Sequence, residues 1–279
     1  MLIFRTVEAI QSWITYQKSV GNTIGFVPTM GALHPGHISL IEQSKNENDL
    51  TVCSIFVNPT QFNDPKDLEK YPRTLEADSE LLCNAHCEVL FYPSVDEIYP
   101  NDMKTIFVDL QGLDQVMEGL HRPGHFNGVV QVVHRLLDIV KPGRLYMGQK
   151  DFQQFSIIGH MIDALQLSVK LVVCPISREI NGLAMSSRNT RLSSEGRQVA
   201  AEIFKTISQA HDLKKNMTPA QVSSFCYDAL NHEPFKPEYI DIVDTKTLKP
   251  LKVWGADGTS VICAAVWLEG VRLIDNVII

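Results

Sequence analysis

The stretch Thr23-Ile24-Gly25-Phe26-Val27-Pro28-Thr29-Met30-Gly31-Ala32-Leu33-His34-Pro35-Gly36-His37 decides how the rest of the chain is read. Residues 23–27 (TIGFV) form a short apolar run that stops at Pro28, the signature of a buried strand running into a turn. The segment PTMGALHPGH, residues 28–37, reads as a strand-to-helix turn with two histidines three positions apart. Gly36 allows close approach of a phosphate, and the start of the following helix offers free N–H groups and a positive dipole end. His34 and His37 fall about one turn apart and face that spot, where they can donate to phosphate oxygens. The segment is neither GxGxxG nor GxxxxGK[ST].

Residues 50–57 (LTVCSIFV), 88–92 (EVLFY), 144–147 (RLYM) and 168–174 (SVKLVVC) are further apolar runs. Such strands suit a parallel sheet covered on both faces. Between them, Thr74 can cap a helix through Leu75, Leu81 and Leu82, with Glu76 and Asp78 in its first turn. Val129, Val132, Val133, Leu136, Leu137 and Val140 recur at helical spacing until Pro142, and residues 152–165 read as another helix. The alternation implies an α/β fold with a doubly wound parallel sheet, whose ligands bind at the carboxyl ends of the strands. Beyond Pro175 the texture changes. A loop containing Gly182 precedes one helix over residues 194–213, a second helix starts at Thr218-Pro219, and strand runs occupy residues 239–243, 260–267 and 272–279. The expected organisation is a larger domain over residues 1–176 and a smaller C-terminal α+β domain over 177–279.

Composition narrows the function. Apolar residues make up 44% and charged residues 20% of the 279, which is ordinary globular composition. A net charge of −7 argues against a surface that coats nucleic acid, leaving room for a local basic pocket and a small anionic ligand. No run approaches the about 18 apolar residues of a membrane span, and the first residues do not read as a secretion signal. Of the six cysteines only Cys83 and Cys87 are close together, so zinc ligation is not expected. Reduced, buried thiols and a cytoplasmic location are expected.

Four more segments carry chemistry. Asn58 and Gln61, in FVNPTQF, are neutral amides at a strand end that can hold hydroxyls and a carboxylate. In Gly148-Gln149-Lys150-Asp151-Phe152-Gln153-Gln154, Lys150 offers a point charge for phosphate, Asp151 can cap a helix or accept from a ribose hydroxyl, and Gln154 shares its face. Met185-Ser186-Ser187-Arg188-Asn189 puts two hydroxyls and an arginine on a loop able to close over a triphosphate. His121-Arg122-Pro123-Gly124-His125-Phe126 adds an arginine for a carboxylate or phosphate. Asp64, Asp67, Glu69 and Asp78 read mostly as solvated-face residues, and spacing does not choose a Mg²⁺ ligand among them. Taken singly, each segment reads as an ordinary turn or helix start; five in this order do not.

The HPGH turn resembles the HxGH motif of the nucleotidylyltransferase superfamily. PTMGALHPGH, FVNPTQF, HFNGV, GQKDFQQ and GLAMSSRN together resemble the pantothenate synthetase family over nearly the whole chain. The resemblance implies a Rossmann-like domain with a C-terminal lid, usually as a homodimer, and condensation of pantoate with β-alanine using ATP and Mg²⁺ through a pantoyl-adenylate. Carried over by motif, it implies an ATP site of Met30, Gly31, Ala32, Leu33, His34, Pro35, Gly36, His37, Gly148, Gln149, Lys150, Asp151, Ser177, Met185, Ser186, Ser187 and Arg188. His37, His34, Lys150 and Arg188 would take the catalytic roles, with His37 usually given that of general acid. Gln61 and Gln154 would hold pantoate, with Asn58 in support and Arg122 a further anion contact. Three positions depart from the usual pattern: Ser177 for valine, Asn181 for aspartate and Thr60 for methionine. The alternative is another HxGH-type nucleotidylyltransferase acting on a different small acid or phosphate.

Overall fold

The computed structural model describes residues 1–62, 65–102 and 104–279. Six parallel strands, β1 (Leu2–Phe4), β2 (Ile24–Thr29), β3 (Leu50–Ile55), β4 (Val89–Phe91), β5 (Arg144–Gly148) and β6 (Lys170–Cys174), make one sheet in the order β1-β4-β3-β2-β5-β6. Register explains why the apolar runs do not alternate. Phe26, Val52, Val89 and Leu145 lie side by side on one face and Val27, Cys53 and Leu90 on the other. All seven are fully buried. Successive strand residues point to opposite faces, so both faces are covered and the sheet is doubly wound. The helix Pro35–Glu47 packs on β2, β3 and β5, and the helix His125–Val140 packs on β2 and on the helix Val7–Ser19. Strand order reverses between β2 and β5. That crevice is where such sheets bind ligands, and the HPGH and GQKD segments follow these two strands.

Three antiparallel strands, β7 (Phe235–Asp244), β8 (Ser260–Leu268) and β9 (Val271–Ile278), form a second sheet in the order β7-β8-β9. The turn between β8 and β9 is Glu269-Gly270, both with positive φ, matching the twist of a two-residue hairpin. Helices Ala201–Ser208 and Pro219–Leu230 supply Ile203, Ile207, Val222, Cys226 and Leu230 to this sheet's core. Thr218 caps the second helix in a reciprocal bond pair with Gln221.

The chain divides into two compact units: residues 1–114, 119–148 and 154–174 in one, and 115–118, 149–153 and 175–279 in the other. The two short segments joining the second unit are not foreseeable from composition. The single helix expected over 194–213 is three pieces, Ser194–Val199, Ala201–Ser208 and Ala210–Leu213. Ala200 and Gln209 keep helical angles but sit among tighter i→i+3 bonds, from Ile203 to Ala200 and from Gln209 to Thr206. Strand β1 and the helix Val7–Ser19, capped by Thr6, were not foreseen. Among the described residues no helix is long and apolar enough to cross a membrane.

Candidate active site

After β2 the chain turns through Gly31 (φ 82°) and Ala32 (φ 50°), two consecutive left-handed residues. A Cβ at Gly31 would meet Ile55 at 3.0 Å and Asp78 at 3.1 Å, so glycine is required there. The turn is held from outside. The Asp78 carboxylate accepts from the backbone N–H of Ala32 at 3.0 Å and of Leu33 at 2.7 Å, and Thr29 Oγ1 accepts from Gly31 N–H at 3.2 Å. Asp78 is 2% exposed, which corrects its reading as a solvated-face residue. It lies on the inward face of the helix Leu75–Asn84 with Leu82, one turn on. A cavity of about 210 Å³ beside the turn is lined by Met30, Gly31, Phe56, Arg73, Asp78 and Tyr92 among others.

The turn delivers His34 to the N-cap of the helix Pro35–Glu47, with Pro35 at the first helical position. His37 Nδ1 accepts from the His34 backbone N–H at 3.3 Å, and the two rings meet at a tilt of 41° with centroids 4.0 Å apart. An accepting Nδ1 leaves the proton of a neutral ring on Nε2, so His37 is set as a donor through Nε2. Both side chains are half-buried.

The 3₁₀ turn Pro59–Gln61 after β3 is organised around Asn58, whose amide is fully engaged. Its Nδ2 donates to Gln61 Oε1 and to the Gly128 carbonyl, each at 3.1 Å. Its Oδ1 accepts from Tyr99 Oη at 2.8 Å and from Thr60 Oγ1 at 3.0 Å. Asn58 is 1% exposed and therefore orients Gln61. Gln61 Nε2 donates to Met30 Sδ at 2.9 Å. His125 Nδ1 lies 2.8 Å from the Gln61 carbonyl and must donate to it, so Nε2 is the acceptor facing Arg122, 3.2 Å away. The helix His125–Val140 approaches this turn so closely that a Cβ at Gly128 would stand 2.4 Å from the Thr60 carbonyl oxygen.

In the second unit, Asn276 of β9 donates through Nδ2 to the carbonyls of Gln149 and Lys150, both at 3.0 Å, and accepts from Gln149 Nε2 at 3.1 Å. Lys150 is half-buried and Asp151 exposed. Gln153 is spent on structure, bonding Glu118 N–H and the Val116 carbonyl at 2.9 Å each, whereas Gln154 is half-buried in the first unit. Ser177 accepts from Met185 N–H at 2.9 Å through its carbonyl, and Ser186 Oγ from Arg188 N–H at 3.3 Å. Asn181 caps its loop, accepting from Leu183 N–H at 3.1 Å, a role open to asparagine as to aspartate. Asp64 and the Asp67 side chain lie outside the described residues, and Glu69 is exposed. Among the described residues, no three His, Cys, Asp or Glu side chains gather as a metal site. All six cysteines are free, Cys83 exposed and the others buried; burial pushes Cys87 up to about 12 and Cys174 and Cys226 up to about 11.

A parallel sheet with a His-Pro-Gly-His helix start at its switch point and a lysine loop after the neighbouring strand defines a nucleotide-using α/β enzyme of the HxGH class. The family follows from comparison: the pantoate-beta-alanine ligase model matches residues 2–278, and the chain belongs to that family. It is 48% identical to the pantothenate synthetase of Porphyromonas gingivalis over 278 residues, covering 99% of each chain. It is 46% identical to that of Bacteroides fragilis, covering 99% of this chain and 98% of the other. Among solved structures, pantothenate synthetase from Thermus thermophilus superposes with a TM-score of 0.91 at 38% identity, covering 99% of both chains. Pantoate-beta-alanine ligase from Francisella tularensis, complexed with beta-gamma ATP and beta-alanine, gives 0.81 at 37% identity, covering 100% of this chain and 97% of that one.

Proposed function

We propose that the HPGH, GQKD and MSSR segments bind MgATP and that Gln61 and Gln154 hold pantoate, so that the chain works through a pantoyl-adenylate. The overall reaction, ATP-dependent condensation of (R)-pantoate with β-alanine in pantothenate biosynthesis, is that of the family. A carboxylate oxygen of pantoate attacks the α-phosphorus, the bond from that phosphorus to the bridging oxygen breaks, and pyrophosphate leaves. The β-alanine amine then attacks the acyl carbon, loses a proton, and expels AMP carrying the former carboxylate oxygen. No covalent enzyme intermediate is needed. The protein's task is alignment and stabilisation of charge on pyrophosphate.

His37 Nε2–H and His34 at the helix start, with Lys150 and Arg188, would meet that charge. Asn58, Tyr99 and His125 would hold Gln61 in position, with Arg122 acting through His125. Mg²⁺ enters with ATP as part of the substrate, coordinated chiefly by phosphate oxygens, as such nucleotide-borne ions usually are. The family resemblance supports a homodimer, and reduced, buried thiols suit a cytoplasmic protein. One observation carries the reading: the two histidines, their rings 4.0 Å apart on a helix start, follow a switch-point strand. The test is release of AMP and pyrophosphate from MgATP with pantoate and β-alanine supplied separately and together. Sustained AMP formation only with both supports it; turnover with one alone, or none with both, overturns it.

A further inference from the structure

We propose that the dipeptide Asp275-Asn276 on β9 is a positioning element that fixes the Lys150 loop and the Ser177–Arg188 region in register with each other. Adjacent strand residues point to opposite faces, so one dipeptide can serve two neighbours. Asn276 grips the first loop through three bonds, two of them to the carbonyls of Gln149 and Lys150. Asp275 grips the second: its carboxylate takes both Arg178 guanidinium nitrogens, at 2.6 and 2.9 Å, and Arg178 also donates to the Gly182 carbonyl at 3.1 Å. The two halves are joined directly, because Asp275 Oδ1 accepts from the Asn276 N–H at 2.8 Å. Asp275 and Asn276 are 5% and 2% exposed, so solvent does not compete for these bonds. Phe204 lies under the Arg178 guanidinium at 3.5 Å and holds it flat against the carboxylate. Two adjacent buried polar residues set between Ile274 and Val277 are costly unless fully bonded, and both are bonded to nucleotide-loop segments.

The inference rests on Lys150 contacting the phosphates of ATP, and the test separates the two claims. Adenylation is measured as pantoate-dependent exchange of pyrophosphate into ATP. Amide formation is measured with pantoyl-adenylate supplied directly, a step that needs no triphosphate. N276A strips two backbone carbonyls of their donor and lets Lys150 drift, and a 1 Å misplacement costs about 10²-fold. The expected result is adenylation reduced about 10²-fold in N276A, with amide formation close to wild type, and a much smaller further loss when N276A is added to K150A. A merely structural role would depress both steps together and give additive losses, which overturns the proposal; so does wild-type adenylation in N276A. Should N276A not fold, N276D, which keeps the volume and sets a carboxylate against the same carbonyls, carries the same test. Full activity in K150A would instead refute the reading of Lys150.

Discussion

Replacing Asp78 by alanine leaves the helix Leu75–Asn84 intact but removes the carboxylate to which the Ala32 and Leu33 amides are bonded. Each orphaned buried donor costs about 1–3 kcal/mol, so the two together cost about 2–6 kcal/mol. Ala32 at φ 50° adds strain that the carboxylate no longer offsets. The turn then relaxes and carries His34 and His37 away from their paired placement at the helix start, for which about 10²-fold in kcat is expected. D78N separates the contributions. Its amide oxygen can accept one of the two N–H groups while its NH₂ confronts the other, so about half the stability loss should appear. The assay is urea unfolding followed by AMP release, with both variants beside wild type. A D78A protein with unchanged unfolding midpoint and unchanged kcat would refute the claim that Asp78 anchors the turn.

Four further outcomes are expected. H37A and K150A should each lose about 10²–10³ in kcat for AMP release, the usual consequence of removing one donor to developing charge. G128A should push the Pro59–Gln61 turn away, since its Cβ would stand 2.4 Å from the Thr60 oxygen, and steady-state kinetics should show a raised KM for pantoate. Native protein should expose one fast-reacting thiol, Cys83, to a disulfide reagent, and all six after denaturation. The buried thiols also set an alkaline limit. Below about pH 8.5 thiols are neutral in both states; above it the unfolded chain ionises while Cys87, at about 12, and Cys174 and Cys226, at about 11, do not. Stability should therefore fall as pH rises from about 9 towards 11, by up to about 1.4 kcal/mol per pH unit for each such thiol, seen as a declining melting temperature.

The parallel sheet was legible because its strands are buried on both faces and so read as unbroken apolar runs; Phe26, Val52 and Leu145 needed no structure to suggest it. Strand β1 was not, being three residues long with two of them exposed. The HPGH and GQKD segments announced themselves by spacing, yet what holds them did not. Asp78 carries the helical phase of an inward residue, one turn from buried Leu82, but its charge favoured a solvated reading. Asn276 lies 126 residues from the carbonyl it grips, a distance at which local pattern says nothing. A signal was present in Leu273-Ile274-Asp275-Asn276-Val277-Ile278, where two polar residues interrupt an apolar strand. Asn58 stood out in the sequence as a candidate contact, while its bonds to Tyr99 and Gly128, which orient Gln61, come from elsewhere in the chain.

The most direct test of the account follows an atom. Pantoate labelled with ¹⁸O in its carboxylate is incubated with the enzyme, MgATP and β-alanine, and the nucleotide product is examined by mass spectrometry. Attack of that carboxylate on the α-phosphorus predicts one ¹⁸O in each AMP formed, with unlabelled pyrophosphate. Unlabelled AMP, or ADP with the label in inorganic phosphate, would contradict the adenylate and with it the roles given to His34, His37 and Lys150.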